Sequence, residues 1–239
     1  MANFVRDGVD LHYDVHGSGF PLLLIAPGGM RSAAEAWEST PWNPATELSD
    51  RYRVITMDQR NAGESSAPVA GDDTWDTYTG DQLALLDHLG VDRFHVAGMC
   101  IGGPYIMGLI KAAPERVVSG TIIQPIGLDD NRGAFYGMFN EWADDLRPER
   151  PDTSDAEWTS FRSNMYDGEF LFNVDPDFVA GVRTPLLVLM GDDLFHPQSI
   201  SRAIASLAPN AELIESWSDG ADRTAAMARC AEFLDEHTP

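Results

Sequence analysis

The sequence predicts an α/β protein: a mostly parallel central sheet flanked by helices, with a helical segment inserted late in the chain. Three observations carry this. Short continuous apolar runs recur, as strands buried on both faces require. Helical patterns lie between those runs, so the repeating unit is strand–helix–strand. The chain has 239 residues, 44% hydrophobic and 10% aromatic, which suffices for one large core and excludes disorder.

The elements follow in order. Apolar alternation over Leu11–Val15 predicts a first strand, and "HGSG" makes the turn after it. Buried strands are predicted at Pro21–Ala26 ("PLLLIA"), Tyr52–Asp58, Phe94–Gly98, Ser119–Gln124 and Pro185–Gly191, with a last strand at Ala211–Glu215. Helices are predicted at Tyr78–Leu89, Gly103–Ala113, Ile200–Leu207 and Ala225–His237. From Ile126 to Arg183 the rhythm breaks. That segment has no strand pattern, is rich in aromatics (Phe135, Trp142, Trp158 and Phe161 among them) and is punctuated by Pro148 and Pro151. The expected organisation is a core of residues 1–125 and 184–239 with a helical cap at 126–183, most of whose aromatics form the cap's own small core. No internal repeat or low-complexity tract interrupts this.

Composition narrows the function classes. With 38 acidic against 16 basic residues, the formal charge is −22. Such a surface repels phosphate backbones and anionic lipid, which argues against nucleic acid or a membrane surface as partner. No run approaches the length of a membrane-spanning helix, and the N-terminus lacks a basic region followed by an apolar one. Cys100 and Cys230 lie in unrelated contexts, which argues against a disulfide framework and fits a reducing, cytoplasmic setting. No Cys/His cluster has zinc-ligand spacing. "GMCIGG" lacks the P-loop lysine and the dinucleotide glycine spacing. No metal or cofactor is therefore expected. The expected partner is a small, partly apolar molecule, and a homo-oligomer is compatible with the sequence.

"VAGMCIGGPYIMG", Val96–Gly108, reads as strand, glycine turn and helix. Cys100 sits at the centre of the turn. The helix that follows directs its positive end at the thiol, which favours thiolate. Gly98-Met99-Cys100-Ile101-Gly102 resembles the G-x-S-x-G nucleophile elbow of the α/β-hydrolase superfamily, with cysteine where serine is most common. "DQRNAGES" (Asp58–Ser65) matches that superfamily's D-x-R-x-x-G-x-S segment. The resemblance runs from about Asp10 to about Leu234.

The resemblance implies a site. "APGGM" (Ala26–Met30) stands where the superfamily places its histidine–glycine oxyanion loop, with the histidine replaced. Gly29, or alternatively Met30, would supply one backbone N–H and Ile101 the other. "MGDDLFHP" (Met190–Pro197) follows the strongest strand, where the superfamily carries its triad acid. Asp193 fits the offset before the proline, and Asp192 is the alternative. The superfamily's histidine lies after the last strand, but Glu215–Met227 contains none. His12 and His16 fall in the N-terminal hairpin, His88 near a helix end, His95 inside a strand and His237 in the tail. Only His196 lies in a loop at a strand's carboxyl end.

Cys100, His196 and Asp193 are therefore expected to form a rearranged catalytic set, with the reach of Asp193 to the imidazole left open. A thiol needs less help from a base than a hydroxyl does, whereas water attack on a thioester still needs one. The expected function is cofactor-independent cleavage of a small ester, thioester or lactone through an acyl-cysteine intermediate. The alternative is a non-hydrolytic member, either a lyase or rearrangement catalyst or a ligand-binding protein without a working triad.

Overall fold

In the computed structural model, which describes residues 2–239, eight strands form one sheet. They are β1 (Ala2–Arg6), β2 (Val9–His16), β3 (Phe20–Ile25), β4 (Tyr52–Met57), β5 (Phe94–Met99), β6 (Val117–Ile123), β7 (Leu186–Leu189) and β8 (Ala211–Ile214). The spatial order is β1-β2-β4-β3-β5-β6-β7-β8. Only the β1–β2 and β2–β4 pairings are antiparallel. The others are parallel, as the sequence predicts. β5 therefore lies in the interior of the sheet, between β3 and β6.

Side-chain alternation along the buried strands feeds two cores. Leu23, Ile25, Ile55, Val96, Ile122 and Val188 face one side. Leu22, Leu24, Val54, Ala97, Ile123 and Leu187 face the other. This is the period of two expected of a pleated strand, and burial of both faces explains why these strands read as unbroken apolar runs. His95 is the polar exception in β5. Its Nδ1 pairs with Ser119 Oγ at 2.7 Å and its Nε2 with Thr238 Oγ1 at 2.9 Å, and burial pulls its pKa down to about 4. It is a satisfied, neutral core residue.

The helices are α1 (Pro44–Glu47), α2 (Trp75–His88), α3 (Gly102–Ala112), α4 (Arg132–Leu146), α5 (Asp155–Tyr166), α6 (Pro176–Gly181), α7 (Gln198–Leu207) and α8 (Gly220–His237). Two begin three or more residues earlier than the apolar pattern predicts. α2 starts at Trp75 because Thr74 and Thr77 form a reciprocal capping box. The first turns of α8 are fully solvated, so they carry no apolar periodicity to read.

Residues 126–183 hold α4, α5 and α6 and, as expected, no strand. Their aromatics pack on one another: Phe161 is fully buried, edge-on to Phe139 and Trp142 with centroids 5.2 and 5.9 Å away. The segment is also bonded to the sheet layer. The Trp75 indole N–H donates to Met165 O at 2.7 Å, Trp142 to Asn61 O at 3.1 Å, and Asn173 Nδ2 to Pro104 O at 2.6 Å. Its aromatic core is thus continuous with the core over α2 and α3.

Truncating this shared core gives a test. Phe161→Ala should lower the unfolding free energy by about 3–5 kcal/mol, because a buried ring is replaced by a cavity. Urea unfolding measures this, and a loss under about 1 kcal/mol would contradict the packing described.

Candidate active site

The site is built at the carboxyl ends of β3, β5 and β7, where parallel sheets leave a crevice. β5 runs into α3 through one residue pair, Cys100-Ile101. Cys100 has φ of +62°, in the left-handed region that a non-glycine residue rarely occupies. Its N–H donates to Ile123 O at 2.9 Å, and its carbonyl accepts from Gly103 and Ile126 at 3.1 and 3.2 Å. These bonds to both sides hold the strained residue in place. Gly98 is required by the tightness of the turn: a Cβ there would lie 2.9 Å from the Gly102 Cα.

The oxyanion loop follows β3. Ser32 Oγ donates to Ala26 O at 2.6 Å and closes the loop on itself. The Asp58–Ser65 segment braces it from outside. Asp58 Oδ1 accepts from the Ala34 N–H at 2.7 Å and Oδ2 from the Glu64 N–H at 2.9 Å, while the Gln59 N–H donates to Ser32 O at 2.9 Å. Of the expected donors, Gly29 lines the cavity above Cys100, whereas the Met30 side chain is buried in the core. The backbone N–H groups directed at the Cys100 sulfur are those of Ile101 and of Gly28, the latter one residue before Gly29.

The histidine loop follows β7. Gly191 lets the loop fold back, since a Cβ at that position would meet the His196 Cβ at 2.4 Å. Asp193 Oδ1 accepts from the backbone N–H of Phe195 and His196 at 2.8 and 3.0 Å, and Oδ2 pairs with His196 Nδ1 at 2.8 Å. A carboxylate three residues away therefore does reach the imidazole, because a tight turn places both on one side. Asp192 accepts instead from Gln198 Nε2 at 2.7 Å. The loop after β8 buries Trp217, whose indole N–H donates to Met190 O at 2.9 Å beneath the histidine loop.

With Nδ1 held by Asp193, the His196 imidazole meets Cys100 through Nε2. Nε2 is buried and makes no hydrogen bond of ordinary geometry, yet the two groups shift each other strongly. Burial pushes the Cys100 thiol up, but hydrogen bonding and charge from His196, with the Gly28 and Ile101 N–H groups, bring it below its ordinary value. Burial pushes His196 down, and Cys100 and Asp193 outweigh this to raise it to about 9. Asp193 is lowered: burial opposes this, and the imidazole and two backbone N–H groups overcome it. All three shifts favour thiolate, imidazolium and carboxylate in a row.

Cys100 and His196 open into a cavity of about 530 Å³ walled by Gly28, Gly29, Ile126, Met138 and Phe195, with Glu141 its one carboxylate. α4 forms one side of it. A larger depression of about 670 Å³ beside Lys111 and Arg183 lies at the amino ends of β5 to β7, away from this chemistry. Among the described residues, no group of three or more His, Cys, Asp or Glu side chains is arranged to hold a metal ion, and no helix is long and apolar enough to cross a membrane.

Comparison with known proteins gives the following. A family model described as alpha/beta hydrolase fold matches residues 21–169. "Putative carbamate hydrolase RutD" of Azorhizobium caulinodans is 41% identical over 115 residues, which cover 48% of this chain and 40% of that protein. Carboxylesterase YbfK of Bacillus subtilis is 24% identical over 222 residues, covering 82% of this chain and 73% of that one. Among solved structures, the enol-lactonase from Burkholderia xenovorans LB400 superposes with a TM-score of 0.71 at 21% identity, over 98% of this chain and 100% of that one. The first curated relatives are matched over 40% to 54% of their own length.

The two thiols should separate chemically. Burial in α8 pushes Cys230 up to about 12, whereas Cys100 is partly exposed and lowered. Brief iodoacetamide treatment at neutral pH should alkylate Cys100 alone, as read by peptide mass mapping. Labelling of Cys230 first would contradict the electrostatics described.

Proposed function

The chain belongs to the alpha/beta hydrolase fold family, and on that premise we propose that it is an enzyme cleaving a small, partly apolar ester, thioester or lactone through an acyl-cysteine intermediate. The observation that carries this is the Asp193–His196 pair at 2.8 Å beside a cysteine with a lowered thiol value on a strand–helix turn. Relatives named as carbamate hydrolase and carboxylesterase support the reaction class.

The Cys100 thiolate attacks the carbonyl carbon, and the electron pair of the C=O bond moves onto oxygen. The Gly28 and Ile101 N–H groups receive that oxyanion, a contribution of about 10²–10³ in rate per donor in sites of this kind. His196, protonated on Nε2, gives its proton to the leaving oxygen as the tetrahedral adduct collapses to a thioester. The neutral imidazole then takes a proton from water, and the resulting hydroxide attacks the thioester. Cys100 leaves as thiolate, so the proton count returns to its starting point. Asp193 fixes the tautomer and stabilises the imidazolium through both proton transfers.

A second reading has one observation in its favour, the lack of an ordinary hydrogen bond at His196 Nε2. On that reading the protein acylates or binds carbonyl compounds but does not activate water, and serves as a non-hydrolytic catalyst or ligand-binding protein.

Turnover of a p-nitrophenyl ester separates the two. Cys100→Ala should be inactive. His196→Ala should acylate and then stall, with deacylation slowed about 10²–10⁴-fold and the acyl mass retained on Cys100. In the wild type, acylation should rise as pH passes the lowered thiol value and fall near pH 9, as His196 loses its proton. Retention of the acyl mass by the wild type favours the second reading, and equal deacylation in His196→Ala removes His196 from the mechanism.

A further inference from the structure

The cavity over Cys100 holds one charged group that the proposed chemistry does not use. On α4, Ala134, Gly137, Met138 and Glu141 recur at the spacing of one helical face, and all four line that cavity. Met138 sets the helix against the oxyanion loop, since a Cβ on Gly29 would lie 2.4 Å from its sulfur. Glu141 follows on the same face, at the exposed rim. Its backbone oxygen accepts from Arg31 Nη2 at 3.1 Å, which ties this turn of α4 to the loop.

Among the described residues, no side chain hydrogen-bonds to the Glu141 carboxylate or pairs with it. Arg31 gives its charge to Asp145 instead, at 2.7 Å. His196 is the one basic side chain among the described residues that line the cavity, and Asp193 matches its charge at 2.8 Å. Ile126, Ala134, Met138 and Phe195 make the walls apolar. With thiolate, imidazolium and carboxylate in a row, the catalytic set carries one net negative charge, and Glu141 adds a second. The rest of the protein, at a formal −22, adds a field of the same sign, which a cleft with apolar walls concentrates. An anionic substrate is repelled by each of these sources. A cationic one is attracted by all of them and finds a partner in Glu141.

We infer that Glu141 is a specificity-determining residue, and that the substrate is an ester, thioester or lactone carrying a cationic amino group, which this carboxylate receives at the rim while the carbonyl lies over Cys100. The ester bond rests on the acyl-cysteine reading above. The charge selection needs only Cys100 and its cavity. Because Glu141 stays in contact with solvent, it acts as a partly screened charge, and its effect weakens as salt rises.

The test uses two methanethiosulfonates of matched length, one ending in a trimethylammonium group and one in a sulfonate. The Cys100 thiolate attacks the thio sulfur, an S–S bond forms and methanesulfinate leaves, so labelling requires no hydrolysis. Rates are normalised to those with a small free thiol. Both reagents attack the same thiolate, so their ratio cancels any change in its ionisation. At low ionic strength the wild type should favour the cation by about tenfold, and Glu141→Gln should lower that preference several-fold. Glu141→Lys should lower it further. Neither change removes a side-chain bond within the protein. Glu115→Gln removes the same charge at the far end of the sheet, beside Lys111, and should leave the ratio where it is. A ratio of one in the wild type, or a ratio unmoved in Glu141→Gln, overturns the inference. A ratio lowered equally by Glu115→Gln overturns it in favour of the net charge alone. The p-nitrophenyl esters of a trimethylammonio acid and of its neutral tert-butyl isostere are run in parallel. A cation preference in labelling without turnover of either ester defeats the hydrolase reading while the charge selection stands, and ester turnover without a labelling preference does the reverse.

Discussion

The site depends on one strained residue. Cys100 sits at φ of +62° where β5 turns into α3, a conformation that costs about 1–3 kcal/mol for a non-glycine residue. That cost is tolerated because β5 is fully buried between β3 and β6, and because Cys100 is tied through its N–H to Ile123 and through its carbonyl to Gly103 and Ile126. The backbone strain projects the sulfur out of the sheet and leaves the Ile101 N–H, at the entrance to α3, facing it. The parallel sheet does the rest. β3 and β7 end on the same side as β5, so the loops that carry Gly28 and His196 arrive at the same crevice.

Charge at the centre follows from this placement. Alone, the half-buried thiol and the half-buried imidazole would each be biased towards the neutral form, since loss of solvent disfavours the charged form of both. Together the Cys100 and His196 shifts run the other way, downward for the thiol and upward to about 9 for the imidazole. Asp193 extends the row from a turn only three residues long. The loop after β8 is thereby free for packing, and Trp217 fills it.

Much of this was legible in the residues. The parallel strands were visible because burial on both faces leaves unbroken apolar runs. Cys100 stood out because glycines crowd a tight strand–helix turn, and His196 because it alone among six histidines follows a strand's carboxyl end. The preference for Asp193 over Asp192 depended on an offset from Pro197, and the structure gives its cause in the turn that aims Oδ2 at the imidazole. Gly28 was not legible: in "PGGM" adjacent glycines look alike, and only the loop's fold decides whose N–H points at sulfur. The early starts of α2 and α8 were lost because capping and solvated turns carry no apolar period.

The central claim is that Cys100 and His196 are a thiolate–imidazolium pair in the resting protein. Thiolate absorbance at 240 nm, titrated as the difference between the wild type and Cys100→Ala, measures it directly. The account predicts a transition below the ordinary thiol value of 9.0, moved upward when His196→Gln removes the partner charge. A transition at the ordinary value, indifferent to His196, would contradict it.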